Sequence, residues 1–201
     1  MIFFIELIIF FFSVIIHEIS HGYAALRKGD TTARDMGRLT FNPIPHIDLF
    51  GTIILPLIFL LMPGGIIIGW AKPVPINPYY FKDMKKDLIV VSAVGPLSNI
   101  GLAIILAVLF RMFPYGILGN FMRYGVAINL LLAFFNLIPI PPLDGSQILQ
   151  GFLPYEMREK YLNIGRFGFL IIIVLLWLGL LNYILLPLVY NVFRLLTGSS
   201  F

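Results

Sequence analysis

Long apolar runs separated by short polar clusters dominate this chain: residues 1–26, 88–110, 120–140 and 166–196 carry few charges and are flanked by basic or turn-forming residues. Each is long enough to cross a hydrocarbon layer of about 30 Å, which takes roughly 20 apolar residues in a helix. They are predicted to be membrane helices, because a helix satisfies its own backbone polar groups and the two-residue alternation of a membrane barrel is absent. The last run is long enough to be tilted, or to break near Asn182 and Pro187. A fifth run, "LFGTIILPLIFLLMPGGIIIGW" (49–70), is interrupted at Pro63-Gly64-Gly65, which leaves only a short continuous helix before the interruption.

Charge placement predicts the path of that fifth run. Arg27, Lys28, Arg34 and Arg38 precede it and Lys72, Lys82, Lys85 and Lys86 follow it, so a full crossing would set two basic loops on opposite faces of the membrane. A re-entrant hairpin keeps both inside. With Arg158, Lys160 and Arg166 of "PYEMREKYLNIGR", that topology gives eleven cytoplasmic basic residues against three outside or near it, Arg111, Arg123 and Arg194. A complete fifth crossing is the alternative. The expected fold class is an all-α polytopic membrane protein of about four to six transmembrane helices, with a re-entrant segment at 49–70 and short extended segments near the site. The chain has no tandem repeat and no room for an appended soluble domain, so a single membrane-embedded domain, 1–201, is expected.

Composition agrees and narrows the function. Hydrophobic residues make up 59% of the chain and mean hydropathy is +0.95, more apolar surface than a soluble domain of this length buries. The net charge of +4 is read as topology signal and contact with the lipid bilayer, so no nucleic-acid partner is expected. The opening "MIFFIELIIFFFSVII" lacks a basic leader and a small-residue cleavage site, so the first helix is expected to stay attached. The absence of cysteine excludes disulfides, thiolate metal sites and a cysteine nucleophile. Any metal must be held by His, Asp or Glu.

Against this background "VIIHEISHGYAA" (14–25) is anomalous, since ionisable groups inside a membrane helix are costly and mark function. His17 and His21 are four residues apart, so at about 3.6 residues per turn they share one helical face and can grip a single ion. With Glu18 they form HExxH, in which two histidines hold zinc and the glutamate takes a proton from metal-bound water. The competing reading is a chance match whose histidines only satisfy nearby carbonyls. The desolvation of three ionisable groups favours a metal, one Zn2+ per chain.

A catalytic zinc takes three protein ligands and leaves a position open. The candidates for the third are Glu6, His46, Asp48, Asp144 and Glu156. Asp144 has the most informative setting, "FNLIPIPPLDGSQIL" (135–149), where prolines at 139, 141 and 142 end or unwind the helix. Irregular backbone at membrane depth is tolerated only where protein or a water-filled cavity satisfies it, as a hydrolytic site requires. An aspartate that merely caps the next helix is the competing reading.

Taken together, "HEISH", "GPLSN" (95–99) and "NLIPIPPLDG" (136–145), in this order across roughly residues 10–150, resemble the site-2 protease family of intramembrane zinc metalloproteases. The resemblance implies that His17, His21 and Asp144 bind zinc, that Glu18 is the general base and that Asn136 lies near the site. "GRLTFNPIPHID" and "GWAKPVPINP" are similar to the short bacterial and archaeal branch, without PDZ or nucleotide-sensing module. This implies a multi-pass protein of a prokaryotic plasma membrane, with its active site toward the cytoplasm.

Gly95, Pro96, Ser98 and Asn99 are read as supporting residues: close helix packing, with Asn99 bridging helices, accounts for them as well as catalysis does. Asn136 either donates a hydrogen bond to an oxyanion or substrate backbone, or satisfies the unwound loop. His46 and Asp48 either line the cavity or lie at the headgroup boundary, the boundary being favoured for His46, and Glu6 has no assigned role. The expected substrate is a transmembrane protein whose helix unwinds and pairs with backbone near 37–44 or 70–77. A membrane metal-ion carrier and a catalytically idle scaffold are the rival classes; the chain shows no evident inverted halves, which argues against the carrier.

Overall fold

The apolar runs fold as helices, as backbone hydrogen bonding in lipid demands. The computed structural model describes residues 2–54, 58 and 71–200, and among these there is no strand. Helix α1 is Ile2–Arg27 and a single turn, α2, is Thr32–Asp35. Helix α3 spans Met84–Met112, α4 Gly116–Asn136 and α5 Asp144–Phe152. Then come α6 (Tyr155–Gly165), α7 (Gly168–Trp177) and α8 (Leu180–Thr197). Helices α1, α3, α4 and α8 are long and apolar enough to cross a membrane, and α6 with α7, bent by 62°, makes a fifth candidate if counted as one span. The protein is a multi-pass membrane protein.

Helix α3 is central, packing against α1, α4, α5 and α8. With α4 and α8 it builds a core of Ala103, Ala107, Val126, Leu130, Val189 and Phe193. The alanines let the helices approach closely, and because lipid tails are as apolar as this core, the contacts stabilise by packing rather than by excluding water. A second cluster, Ala24, Ala25, Phe81, Leu88 and Val91, joins the end of α1 to the start of α3. There Lys28 Nζ lies 2.8 Å from the carboxylate of Asp87. Asp83 caps α3: its carboxylate accepts the Lys86 N–H at 3.1 Å, which holds its pKa below the ordinary aspartate value.

Residues 71–77 form an irregular strap across this end of the bundle. The Lys72 N–H donates to the His46 carbonyl at 2.9 Å, and Arg38 Nη2 donates to the carbonyls of Lys72 and Pro73 at 2.8 and 3.1 Å. At the far end the Asn77 N–H donates to the buried Asp30 carboxylate at 2.7 Å. The extended segments expected near the site therefore take the form of an anchored strap, not a paired strand.

Two boundaries differ from expectation. The C-terminal run breaks at Leu178–Gly179, not near Asn182 or Pro187: Gly179 adopts φ +70°, while Pro187 lies inside α8. Glycine takes the left-handed conformation freely, whereas a membrane helix tolerates a proline when neighbours re-satisfy the freed carbonyl. Helix α4 covers Gly116–Asn136 rather than 120–140. It stops short of Pro139 because the residue before a proline is driven out of helical conformation. Of the expected re-entrant segment 49–70, Leu49–Ile54 forms a π-helical stretch; the remainder lies outside the described residues apart from residue 58.

Candidate metal centre

Ser13, His17 and His21 follow one another at four-residue intervals down a single face of α1, and that face is turned inward: the two histidines are each 5% exposed. Their rings meet edge to face with centroids 4.6 Å apart, and their Nε2 atoms lie 3.0 Å from each other. Asp144, the first residue of α5, brings Oδ2 to 3.0 Å from His17 Nε2 and 3.2 Å from His21 Nε2. That oxygen is buried and has no hydrogen-bond partner. Among the described residues, His17, His21 and Asp144 form the group whose ligand-capable atoms all lie within 4.8 Å of one another.

The other ring nitrogens explain why Nε2 points inward. His21 Nδ1 is 2.7 Å from the Val91 carbonyl, which only accepts, so Nδ1 carries the proton. His17 Nδ1 is 2.6 Å from Asn99 Oδ1, the same arrangement. An uncharged imidazole protonated on Nδ1 directs its Nε2 lone pair at the other ring and at a carboxylate oxygen. Three electron-pair donors facing one another repel unless a proton or a metal cation stands among them. Tetrahedral bonds of about 2.0–2.1 Å separate donors by roughly 3.3 Å, close to the 3.0–3.2 Å found here. Two imidazoles and a carboxylate also form a donor set that zinc accepts with one position left open.

The "GPLSN" stretch lies on α3 directly over this pair. A Cβ built on Gly95 would overlap His21 Nε2 and Cε1 and come within 2.8 Å of His17 Cε1, so only glycine fits. Pro96, buried within α3, has no N–H for the Ser92 carbonyl, and one residue before Ser92 the Val91 carbonyl receives His21. Ser98 Oγ donates to the Gly95 carbonyl at 2.7 Å. Asn99, fully buried, bridges α1 to α4, bonding His17, the Ser13 carbonyl and Asn129.

Glu18 is half-buried, and its Oε2 accepts the N–H of Val74, in the middle of the strap, at 2.8 Å. Asn136 stands half-buried at the end of α4 with its amide donating to the Leu132 carbonyl at 2.9 Å, within its own helix. Of the other ligand candidates, Glu6 lines a cleft with Asn120, Phe121 and Tyr124, and Glu156 is exposed in the first turn of α6. Asp48 accepts the Gly51 N–H at 2.6 Å. His46 is fully buried, with Nε2 2.9 Å from the Thr40 carbonyl, in a loop whose His46 carbonyl holds the strap.

Sequence reasoning passed over Ser13, Asn129, the Val91 carbonyl and the Val74 N–H. Ser13 was findable from the four-residue line it shares with the histidines, and Asn129 as a polar residue within an apolar run. The two backbone groups have no signature in sequence.

The chain matches the family model described as Peptidase family M50 over residues 5–123 and 111–179. It is 39% identical over 185 residues to "Putative zinc metalloprotease YwhC" of Bacillus subtilis, covering 87% of this chain and 81% of that one. It is 30% identical to "Putative zinc metalloprotease Rip2" of Mycolicibacterium smegmatis, covering 94% of this chain and 73% of that one. To "Putative zinc metalloprotease MJ0611" of Methanocaldococcus jannaschii it is 30% identical, covering 75% and 71%. No solved structure matches significantly.

Proposed function

The chain belongs to peptidase family M50, the site-2 protease family, and from that premise we propose that it is a zinc-dependent endopeptidase cleaving membrane proteins within or near their transmembrane helices. The observation that supports this reading best is the convergence of His17 Nε2, His21 Nε2 and Asp144 Oδ2 at 3.0–3.2 Å, with Glu18 next along the same helix.

On this reading His17, His21 and Asp144 hold one zinc ion. Bound there, zinc supplies Lewis acidity, making water a better proton donor and polarising a peptide carbonyl. Glu18 takes the proton from water and delivers it to the leaving amine, so no covalent intermediate with the protein is required. The Val74 N–H, donating to the Glu18 carboxylate, orients that base. A substrate helix must unwind to be cut, since its carbonyls are otherwise bonded within the helix, and the 71–77 strap or residues 37–44 offer backbone for it to lie against. The bias of basic residues supports a reading in which this end of the bundle faces the cytoplasm of a prokaryotic cell.

The test is incubation of purified protein with a single-pass model substrate in detergent or vesicles. Cleavage that stops on adding a zinc chelator and returns with zinc is expected. Metal flux into vesicles without any proteolysis would establish the carrier instead.

A further inference from the structure

Ser13, Asn99 and Asn129, each at most 1% exposed, form a chain of hydrogen bonds between α1, α3 and α4. Its direction is dictated by main-chain carbonyls, which can only accept. Asn129 Nδ2 lies 2.8 Å from the Gly125 carbonyl, so that end of its side chain must be the NH2 group, which also donates to Ser13 Oγ at 2.9 Å. Ser13 is free to accept because its own hydroxyl donates to the Ile9 carbonyl at 2.8 Å. Asn129 Oδ1 therefore faces Asn99, 2.8 Å away, and must receive a proton from it. The Ser13 carbonyl, 3.2 Å from the same Asn99 nitrogen, makes the same demand. Asn99 is left with Oδ1 toward His17 Nδ1, at 2.6 Å, and His17 must carry its proton there.

We propose that Asn129 is a positioning residue for the metal centre, anchored by the Gly125 carbonyl and Ser13 and acting through Asn99 to keep His17 protonated on Nδ1 and Nε2 free to bind a cation. The proposal rests on the zinc reading above. If Asn99 turned its amide over, its NH2 group would face Nδ1. His17 would then have to accept there and carry its proton on Nε2, aimed at the ion. Asn129 holds that flipped state off by requiring a donor from Asn99, and without it only the longer bond to the Ser13 carbonyl resists the flip.

The experiment is zinc binding by purified, metal-stripped protein, measured by competition with a chromophoric chelator, with cobalt absorption reporting the ligand field and thermal unfolding in detergent reporting the fold. Outer partners of metal-bound histidines are typically worth about 10–100-fold in affinity. Asn99→Ala is expected to lose within that range and Asn129→Ala about tenfold, toward its lower end. The decisive variant is the double substitution Asn99→Asp with Asn129→Ala. A carboxylate presents an acceptor to His17 whichever way it is turned, so this protein no longer needs Asn129 and regains the affinity that Asn129→Ala alone loses. A purely packing role for Asn129 predicts no such rescue.

Ser13→Ala, which removes one of the two acceptors of the Asn129 amide and leaves the Gly125 carbonyl, is expected to weaken zinc binding in the same direction by a smaller factor, and the isosteric Asn129→Leu serves if Asn129→Ala fails to fold. Wild-type affinity in Asn129→Ala, or in Asn129→Leu where that substitution stands in for it, would overturn the proposal, as would persistent weakness in the double variant, with the zinc reading left intact. Failure of the wild-type protein to bind zinc would instead overturn the zinc reading, and the proposal with it.

Discussion

At the scale of single residues, the site depends on where a side chain is missing as much as on where one is present. A methyl group on Gly95 would occupy the place of the His21 imidazole, so Gly95→Ala is expected to reach the membrane yet hold much less zinc, as measured by metal analysis of the purified protein. Wild-type zinc content in that variant would show that α3 can retreat from the histidines. Glu18→Gln keeps size and position but cannot take a proton, and is expected to fold, bind zinc and fail to cleave. Cleavage by Glu18→Gln would remove Glu18 as the base. The histidines and Glu18 were legible because their spacing follows helix geometry, and Asp144 because prolines expose its turn. Val91 and Val74 act through backbone groups that any residue but proline supplies in full, so their part in the site became visible only once α3 and the strap were placed on α1.

Among the elements, the strap ties the base of α1 to the start of α3 without belonging to any helix. Arg38 holds it through two carbonyls while His17, His21 and Asp144 lie elsewhere, so on the proposed reading its loss separates orientation of Glu18 from metal binding. Hydrogen bonds to a charged donor are worth roughly 1.5–3 kcal/mol each. Arg38→Ala is accordingly expected to speed amide exchange at Val74 and Asn77 by about tenfold or more and to slow cleavage, with zinc content unchanged. Unaltered exchange at Val74 would mean that Glu18 and Asp30 suffice to hold the strap. The strap itself was only half legible: Pro73 and Pro75 exclude a helix, but its anchors, Arg38, His46 and Asp30, come from residues at least 26 positions earlier in the chain. The break in the C-terminal run was misplaced. Pro187 and Gly179 both lie in it, and it is Gly179, with φ +70°, that interrupts the helix.

For the molecule as a whole, hydrophobicity alone made the helical membrane fold legible, because lipid leaves the backbone no other way to satisfy itself. Orientation rests on charge. The absence of cysteine makes single-cysteine reporters clean, so Lys160→Cys is expected to react with an impermeant thiol reagent only from the cytoplasmic side and Arg111→Cys only from the opposite side. The reverse pattern would invert the molecule and place the site at the outer face. The expectations about cleavage and zinc depend on one ion shared by α1 and α5. The most direct measurement is zinc X-ray absorption on the purified protein, combined with metal stoichiometry. The account predicts one zinc per chain bound by two imidazole nitrogens and a carboxylate oxygen at about 2.0–2.2 Å, with Asp144→Ala losing that oxygen and much of the metal. Zinc well below one per chain, or a zinc environment that Asp144→Ala leaves unchanged, would contradict it.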